Sequence, residues 1–263
     1  MKVFSIFGDP VSHSRSPLMH NSVFKSLNIK ACYSRTHLSD GSQLRDVFFA
    51  KGLKGANVTV PHKEAAYAQC DEVRGIAKEI KAVNTLVLEK GRLIGYNTDA
   101  DGFMSAIQSF GEIKTALILG AGGTARALSI ALRNGEITPT ILNRSQGRLE
   151  YFTAKGFECY AWDDFTAKPY DLIINTTSAG LSDSELPIPR PLLMELLGQA
   201  KGAIDVIYGQ ETPYLREVKV SGLPYKDGSD MLLEQGVLAN HLFMHGEYPI
   251  EHIRSSMIES FAL

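Results

Sequence analysis

Only three cysteines occur among the 263 residues, at Cys32, Cys70 and Cys159. Their number is odd, their spacing is wide, and no Cys-x-x-Cys pair is present, so neither a disulfide framework nor a zinc site is indicated. A reducing, cytoplasmic setting is the expectation. Long runs of one charge sign are also missing, and the formal net charge is −2. That balance argues against a general nucleic-acid binder or a basic membrane-surface protein. No apolar run approaches the length of a membrane span. The apolar start, Met1 to Phe7, ends at Gly8-Asp9-Pro10, which is too short for a secretory signal core and reads as a first strand. Acidic and histidine residues show no ligand spacing, so no metal is expected. Internal repeats and low-complexity tracts are lacking. What remains is a globular composition, 44% hydrophobic, long enough for one large domain or two modest ones.

Strand and helix signals alternate along the chain. Val3–Phe7 reads as a buried strand. Ser16-Pro17 then opens a helix, with serine as its N-cap, proline in its first turn, and Leu18, Val23, Phe24 and Leu27 on its apolar face. A strand near Ala31–Thr36 and a helix over 42–51 lead to Gly55-Ala-Asn-Val-Thr-Val-Pro-His-Lys63. Apolar alternation through Ala56, Val58 and Val60 predicts a short strand that stops at Pro61. Asn57 and Thr59 then share one face, and Lys63 follows the C-terminal end, where open α/β sheets bind ligands. Taken alone, these residues fit a solvated strand edge better than a site. Residues 63–80 read as a helix broken at Gly75, followed by a hairpin of Val83–Leu88 and Leu93–Tyr96, then Asn97-Thr98-Asp99 and a helix over 101–110 closed by Gly111.

A second α/β stretch has strands at Thr115–Leu119, Pro139–Leu142, Phe157–Tyr160, Asp171–Asn175, Ala203–Ile207 and Pro224–Lys226. Its helices are expected at Thr124–Asn134, Gly147–Lys155, Arg190–Leu197 and Thr212–Val220, with a helical tail over 229–245 and 249–261. The alternation implies mostly parallel sheets covered by helices. Because the tail follows the last strand, it is expected to return to the first domain.

Gly120-x-Gly122-x-x-Ala125 lies between a predicted strand and a predicted helix, the context a dinucleotide fingerprint requires. The first glycine permits the tight turn, the second lets backbone N–H groups approach a pyrophosphate, and a small third residue allows close helix packing. NAD enzymes usually carry an acid about twenty residues on. Here the second strand ends at Asn143-Arg144-Ser145, and Arg148 follows. A carboxylate would repel a 2′-phosphate, whereas a guanidinium pairs with it bidentately, so NADP is the expected cofactor.

Several ordered stretches together resemble the shikimate dehydrogenase family. They are Gly8-Asp-Pro-Val-Ser-His-Ser14-Arg-Ser16-Pro17-Leu-Met-His20-Asn21, Asn57-Val-Thr59-Val-Pro-His-Lys63, Ala82-Val-Asn84-Thr85 and Asn97-Thr-Asp99. Gly120-Ala-Gly-Gly-Thr-Ala125, Asn143-Arg144-Ser145, Asn175-Thr-Thr-Ser178-Ala-Gly180, Asp205-Val-Ile-Tyr208 and Gly228-Ser-Asp-Met-Leu-Leu-Glu-Gln235-Gly complete the series, which covers nearly the whole chain. The resemblance implies an α/β protein of two domains. A substrate-binding catalytic domain would span 1–100, a Rossmann NADP-binding domain 101–235, and a tail over 236–263 would pack on the first. It implies reversible NADPH-dependent reduction of 3-dehydroshikimate to shikimate in aromatic amino-acid biosynthesis, by a monomer or homodimer that needs no nucleic acid or membrane.

By the same resemblance, Ser14, Ser16, Asn57, Thr59, Lys63, Asn84, Asp99, Tyr208 and Gln235 bind substrate. Gly120, Ala121, Gly122, Gly123, Thr124, Ala125, Asn143, Arg144, Ser145, Arg148, Thr176, Ile207 and Gly228 bind the cofactor. The chemistry suits the residue types. Hydroxyls of Ser14 and Ser16 can donate to a carboxylate at a helix start that favours an anion. Lys63 and Asp99 are the expected proton-handling pair, because an ammonium beside a reducing ketone stabilises the oxyanion and delivers a proton. Asp99 then either orients Lys63 and shares that proton, or binds a substrate hydroxyl. Gln210 stands where the family often has proline, and Ser145 where it often has threonine. The alternative within the family is a quinate/shikimate dehydrogenase using NAD or both cofactors, which Arg144 opposes. A non-catalytic ligand sensor would not need both Lys63 and Asp99, and a folate-pathway dehydrogenase would not explain Ser14-x-Ser16-Pro17.

Overall fold

The computed structural model describes residues 1–260, so the end of the expected tail, including Phe261, lies outside the described residues. The chain forms two compact units, residues 1–102 with 233–263, and residues 103–232. The second division falls after Leu232, three residues before the sequence-based limit, inside one continuous helix.

The first unit contains β1 (Lys2–Gly8), α1 (Ser16–Ser26), β2 (Ala31–His37), α2 (Leu44–Ala50), β3 (Gly55–Val58), α3 (Lys63–Gln69), β4 (Glu72–Val73), α4 (Ala77–Ile80), β5 (Thr85–Glu89) and β6 (Arg92–Tyr96). Its sheet runs β2-β1-β3-β5-β6-β4, with β3/β5 and β5/β6 antiparallel and the other pairs parallel. Helix α5 (Asp99–Ile107) carries the chain into the second unit. Alternation along β1 sends Phe7 to one core with Leu44, Phe48, Val58 and Leu86, and Phe4 and Ile6 to the other with Phe24, Tyr33 and Phe243.

The second unit contains β7 (Thr115–Leu119), α6 (Gly123–Asn134), β8 (Thr138–Asn143), α7 (Glu150–Ala154), β9 (Glu158–Ala161), β10 (Leu172–Asn175), α8 (Arg190–Leu197), β11 (Gly202–Asp205), α9 (Pro213–Val220) and β12 (Tyr225–Lys226). Its all-parallel sheet runs β12-β11-β10-β7-β8-β9, the doubly wound order whose direction reverses between β7 and β10. Both faces are covered, so these strands are apolar runs, Leu117, Leu119, Leu142, Ile173 and Ala203 among them. Helix α10 (Ser229–Phe243) returns the chain to the first unit, where α11 (Ile250–Glu259) packs on α1.

Several local expectations are corrected. Strand β3 ends at Val58 because Pro61 cannot donate and the chain turns through a Thr59 carbonyl–His62 N–H bond, leaving Val60 66% exposed. Arg15, not Ser16, caps α1, and the Ser16 N–H donates to Ser14 Oγ at 3.3 Å. The span 63–80 contains the short strand β4, and α5 begins at Asp99 rather than Asp101, ending in a 3-10 turn over Gln108–Phe110. Helices expected over 42–51 and 147–155 each begin as a 3-10 turn. Strand β11 stops at Asp205, so Tyr208 lies in the loop beyond it.

Candidate active site

The first unit collects most of the expected substrate residues at one end of its sheet. Lys63 opens α3 and Asp99 opens α5, and Lys63 Nζ donates to Asp99 Oδ2 at 2.6 Å. Both side chains remain partly accessible, 27% for Lys63 and 16% for Asp99, so the pair can meet a ligand. Asn97 fixes the start of α5 by accepting the N–H of Asp99 at 3.1 Å, while its own amide donates to the Ala82 carbonyl. The Lys63 carbonyl accepts the Val83 N–H, which ties the base of α3 to the segment before β5.

A buried polar network adjoins the segments that carry the pair. Tyr33 Oη donates to Asn57 Oδ1 at 2.7 Å, and Asn57 Nδ2 donates to the Asn84 carbonyl and to Thr85 Oγ1. Both amide hydrogens of Asn57 are thereby engaged. Asn84 Oδ1 accepts the Thr98 N–H at 2.8 Å and its amide donates to Thr98 Oγ1, which links β5 to the segment carrying Asp99. The His20 ring stacks on Tyr33 at 4.4 Å, and the Asn240 amide on α10 donates to its Nδ1. Burial lowers the His20 pKa to about 3, the bond with Asn57 offsetting part of that fall, so the ring is neutral. Burial likewise raises the Tyr33 phenol well above its ordinary range, against the opposing bonds to Asn57 and Ser16.

Ser14 and Ser16 sit together at the start of α1, with Ser14 Oγ donating to Ser16 Oγ at 3.2 Å. Arg35 on β2 clasps the Ser14 carbonyl through two N–H groups and adds a positive charge there. Thr59 is half-buried at the exit of β3, its N–H bonded to the Phe7 carbonyl. Gln235 lies on α10 against Gly102, one turn beyond Asp99; a Cβ at Gly102 would come within 2.7 Å of the Gln235 nitrogen. Tyr208 belongs to the second unit, where it is half-buried.

The second unit holds a cavity of about 390 Å³ at the reversal between β7 and β10. Gly120, Ala121, Gly122, Asn143, Arg144, Arg148 and Thr176 line it. Gly120 adopts φ +104, and a Cβ there would meet Thr177 Cγ2 at 2.9 Å, so the turn demands glycine. Around Gly122 and Gly123 the space a Cβ would occupy is open, leaving the first N–H groups of α6 accessible. Such a cradle fits a pyrophosphate at a helix start, and the two arginines fit a further phosphate. Ala125 is fully buried beneath the turn. The Gly228 N–H donates to the Ile207 carbonyl, so these two meet each other, though neither they nor Gly123, Thr124 and Ser145 line the cavity.

Sequence reasoning passed over Arg35, Tyr33 and His20 because strand pairing and helix packing, not spacing, bring them to the site. It also passed over Trp162, Leu186 and Pro187, which line the same cavity. Among the described residues no group of histidine, cysteine and acidic side chains could hold a metal ion, and no helix is long and apolar enough to cross a membrane.

Comparison with known proteins places these features among relatives. Residues 6–86 match the model of the shikimate dehydrogenase substrate binding domain. The chain is 46% identical over 262 residues to a shikimate dehydrogenase (NADP(+)) of Helicobacter hepaticus, covering 98% of this chain and 97% of that protein. It is 37% identical to the enzyme of the same name from Desulfitobacterium hafniense, over the full length of both. Among solved structures, the shikimate 5-dehydrogenase of Thermus thermophilus, crystallised with NADP(H) and shikimate, matches with a TM-score of 0.86 at 33% identity, over 99% of this chain and 100% of that one. The shikimate dehydrogenase of Aquifex aeolicus matches with a TM-score of 0.84 at 31% identity, over 97% of each.

Proposed function

Because the chain belongs to the shikimate dehydrogenase family, we propose that it catalyses the reversible NADPH-dependent reduction of 3-dehydroshikimate to shikimate, with Lys63 and Asp99 handling the proton. The observation that carries this reading is the 2.6 Å contact of Lys63 Nζ with Asp99 Oδ2, with both side chains part-exposed. When bound, NADPH supplies the hydride to the carbonyl carbon of the substrate. The Lys63 ammonium donates one proton to the carbonyl oxygen, which becomes the hydroxyl, and Lys63 is left as the neutral amine. In the oxidative direction the neutral amine receives that proton back. Asp99 accepts a hydrogen bond from Lys63, holding its nitrogen in place.

Ser14 and Ser16 bind the substrate carboxylate, aided by the start of α1 and the charge of Arg35. Asn57, Thr59 and Asn84 read ring hydroxyls or the carboxylate, with Tyr208 and Gln235 completing the substrate site. The glycine turn and the α6 amides hold the pyrophosphate, while Arg144 and Arg148, with Asn143 and Ser145, hold the 2′-phosphate. Thr176, Ile207 and Gly228 would complete the cofactor site. The protein works as a cytoplasmic enzyme, as a monomer or homodimer.

Reduction of NADP+ and of NAD+ with shikimate and with quinate, measured side by side at the NADPH absorbance band, tests the reading. Shikimate with NADP+ is the expected fastest pair. Turnover with quinate and NAD+ at equal or greater rates points to the quinate/shikimate enzyme instead, and no turnover with any pair overturns the proposal.

A further inference from the structure

We propose that Trp162 is the aromatic face on which the adenine ring of the nucleotide stacks. The inference rests on the reading that the second unit's cavity takes NADP. Trp162 is the sole tryptophan of the chain and lines the same cavity as Gly120, Arg144 and Arg148. Strand register places it there. Asn143 at the end of β8 pairs with Ala161 at the end of β9, so the next residues, Arg144 and Trp162, leave neighbouring strands at the same level. A hydrogen bond of 2.8 Å from Gln146 Nε2 to Asp164 Oδ2 then ties the arginine loop to the 3-10 turn Trp162–Asp164. The indole is half-buried, packed on the core beside Leu186, so part of it is anchored while part borders the cavity.

The chemistry divides accordingly. Arg144 and Arg148 suit the phosphates, but a purine is neutral and flat and needs a flat polarizable surface. An indole offers the largest such surface of any side chain, and base–aromatic stacking is worth about tenfold or more in affinity. Because the indole is itself the fluorophore, contact with a purine changes its emission.

The test uses the full-length protein and separates the two ends of the nucleotide. Titration with 2′,5′-ADP, which has the adenine and phosphates but no nicotinamide, is expected to quench tryptophan emission to the plateau reached with NADP+. Nicotinamide mononucleotide is expected to leave emission unchanged. By calorimetry, Trp162→Phe is expected to bind 2′,5′-ADP within about threefold of wild type and Trp162→Ala about tenfold more weakly. If 2′,5′-ADP binds by calorimetry without altering emission, or if Trp162→Ala binds as wild type, the stacking assignment is overturned while the cavity remains the nucleotide site. If Arg144→Ala leaves 2′,5′-ADP binding intact, or if wild type does not bind it, the underlying cavity reading fails with it.

Discussion

Lys63 and His20 show how two ionisable side chains within one unit are put to opposite uses. Lys63 keeps access to ligand and a carboxylate partner. His20 is sealed in and kept neutral. Lys63→Ala is expected to lower kcat about 10²–10⁴-fold, the usual worth of a positioned general acid, with shikimate KM within about threefold. Initial rates decide it, and near-normal turnover removes Lys63 from proton transfer. Arg144→Ala is expected to weaken NADPH about ten- to hundredfold, as loss of a charge-assisted bond does, while NADH binding hardly moves. Equal losses would deny Arg144 its role at the 2′-phosphate. For His20, the unfolded chain takes up a proton near pH 6.5 and the folded protein only near pH 3. Between those values the unfolded state binds more protons, so this group's contribution to stability is complete above pH 6.5 and is lost as pH falls towards 3. At about pH 4.5 the loss is about 2–3 kcal/mol. Urea unfolding at pH 7 and 4.5 should show a smaller decline in His20→Gln, and identical declines would discharge His20 as the cause.

Among elements, those with an uninterrupted local signal were legible in the sequence. Thr115–Leu119 is a pure apolar run, and Arg190–Leu197 follows Pro189 and ends at Gly198; both match the observed bounds. The glycine-rich loop was legible for the same reason, being a short motif between two strong elements. Strand β4 was not, because two residues, Glu72 and Val73, carry no period and owe their conformation to pairing with β6. Nor was the Tyr33–Asn57 bond, whose partners are 24 residues apart and meet only through the sheet. Trp162 was hidden likewise, since only β8/β9 register sets it beside Arg144. The approach of α10 to α5 belongs to this group as well. Gly102→Ala would press a methyl group onto the Gln235 backbone. Gln235 is expected to shift, raising the shikimate KM several-fold while the affinity for 2′,5′-ADP stays constant. A KM equal to wild type would show that the helices yield without moving Gln235.

For the whole molecule, the proposed substrate residues other than Tyr208 lie in one unit and the cavity proposed for the dinucleotide in the other. Each ligand should therefore stabilise chiefly the unit it binds. Present at 100 times its Kd, a ligand adds about 2.7 kcal/mol to the state it occupies, which corresponds to roughly 5–10 °C for a chain of this size. Calorimetric scans with 2′,5′-ADP and with shikimate should each show such a shift. A molecule that melts as one unit would give a single displaced transition, and two independent units would give one displaced and one fixed.

The first unit is also broken in sequence, and this has a consequence for its synthesis. Helix α11, which closes over α1 through the Ser22 hydroxyl to the Ser256 carbonyl and Arg15 to the Ser260 carbonyl, follows the whole second unit in sequence. The 130 residues Phe103–Leu232 must be translated first, which takes roughly ten seconds at ordinary elongation rates. During that interval the nascent second unit has its whole sequence and can fold on the ribosome, while the part of α1 that α11 covers waits for its partner. A chaperone that reads exposed apolar helices would find its substrate in this protein's early half, and only until α11 has been made.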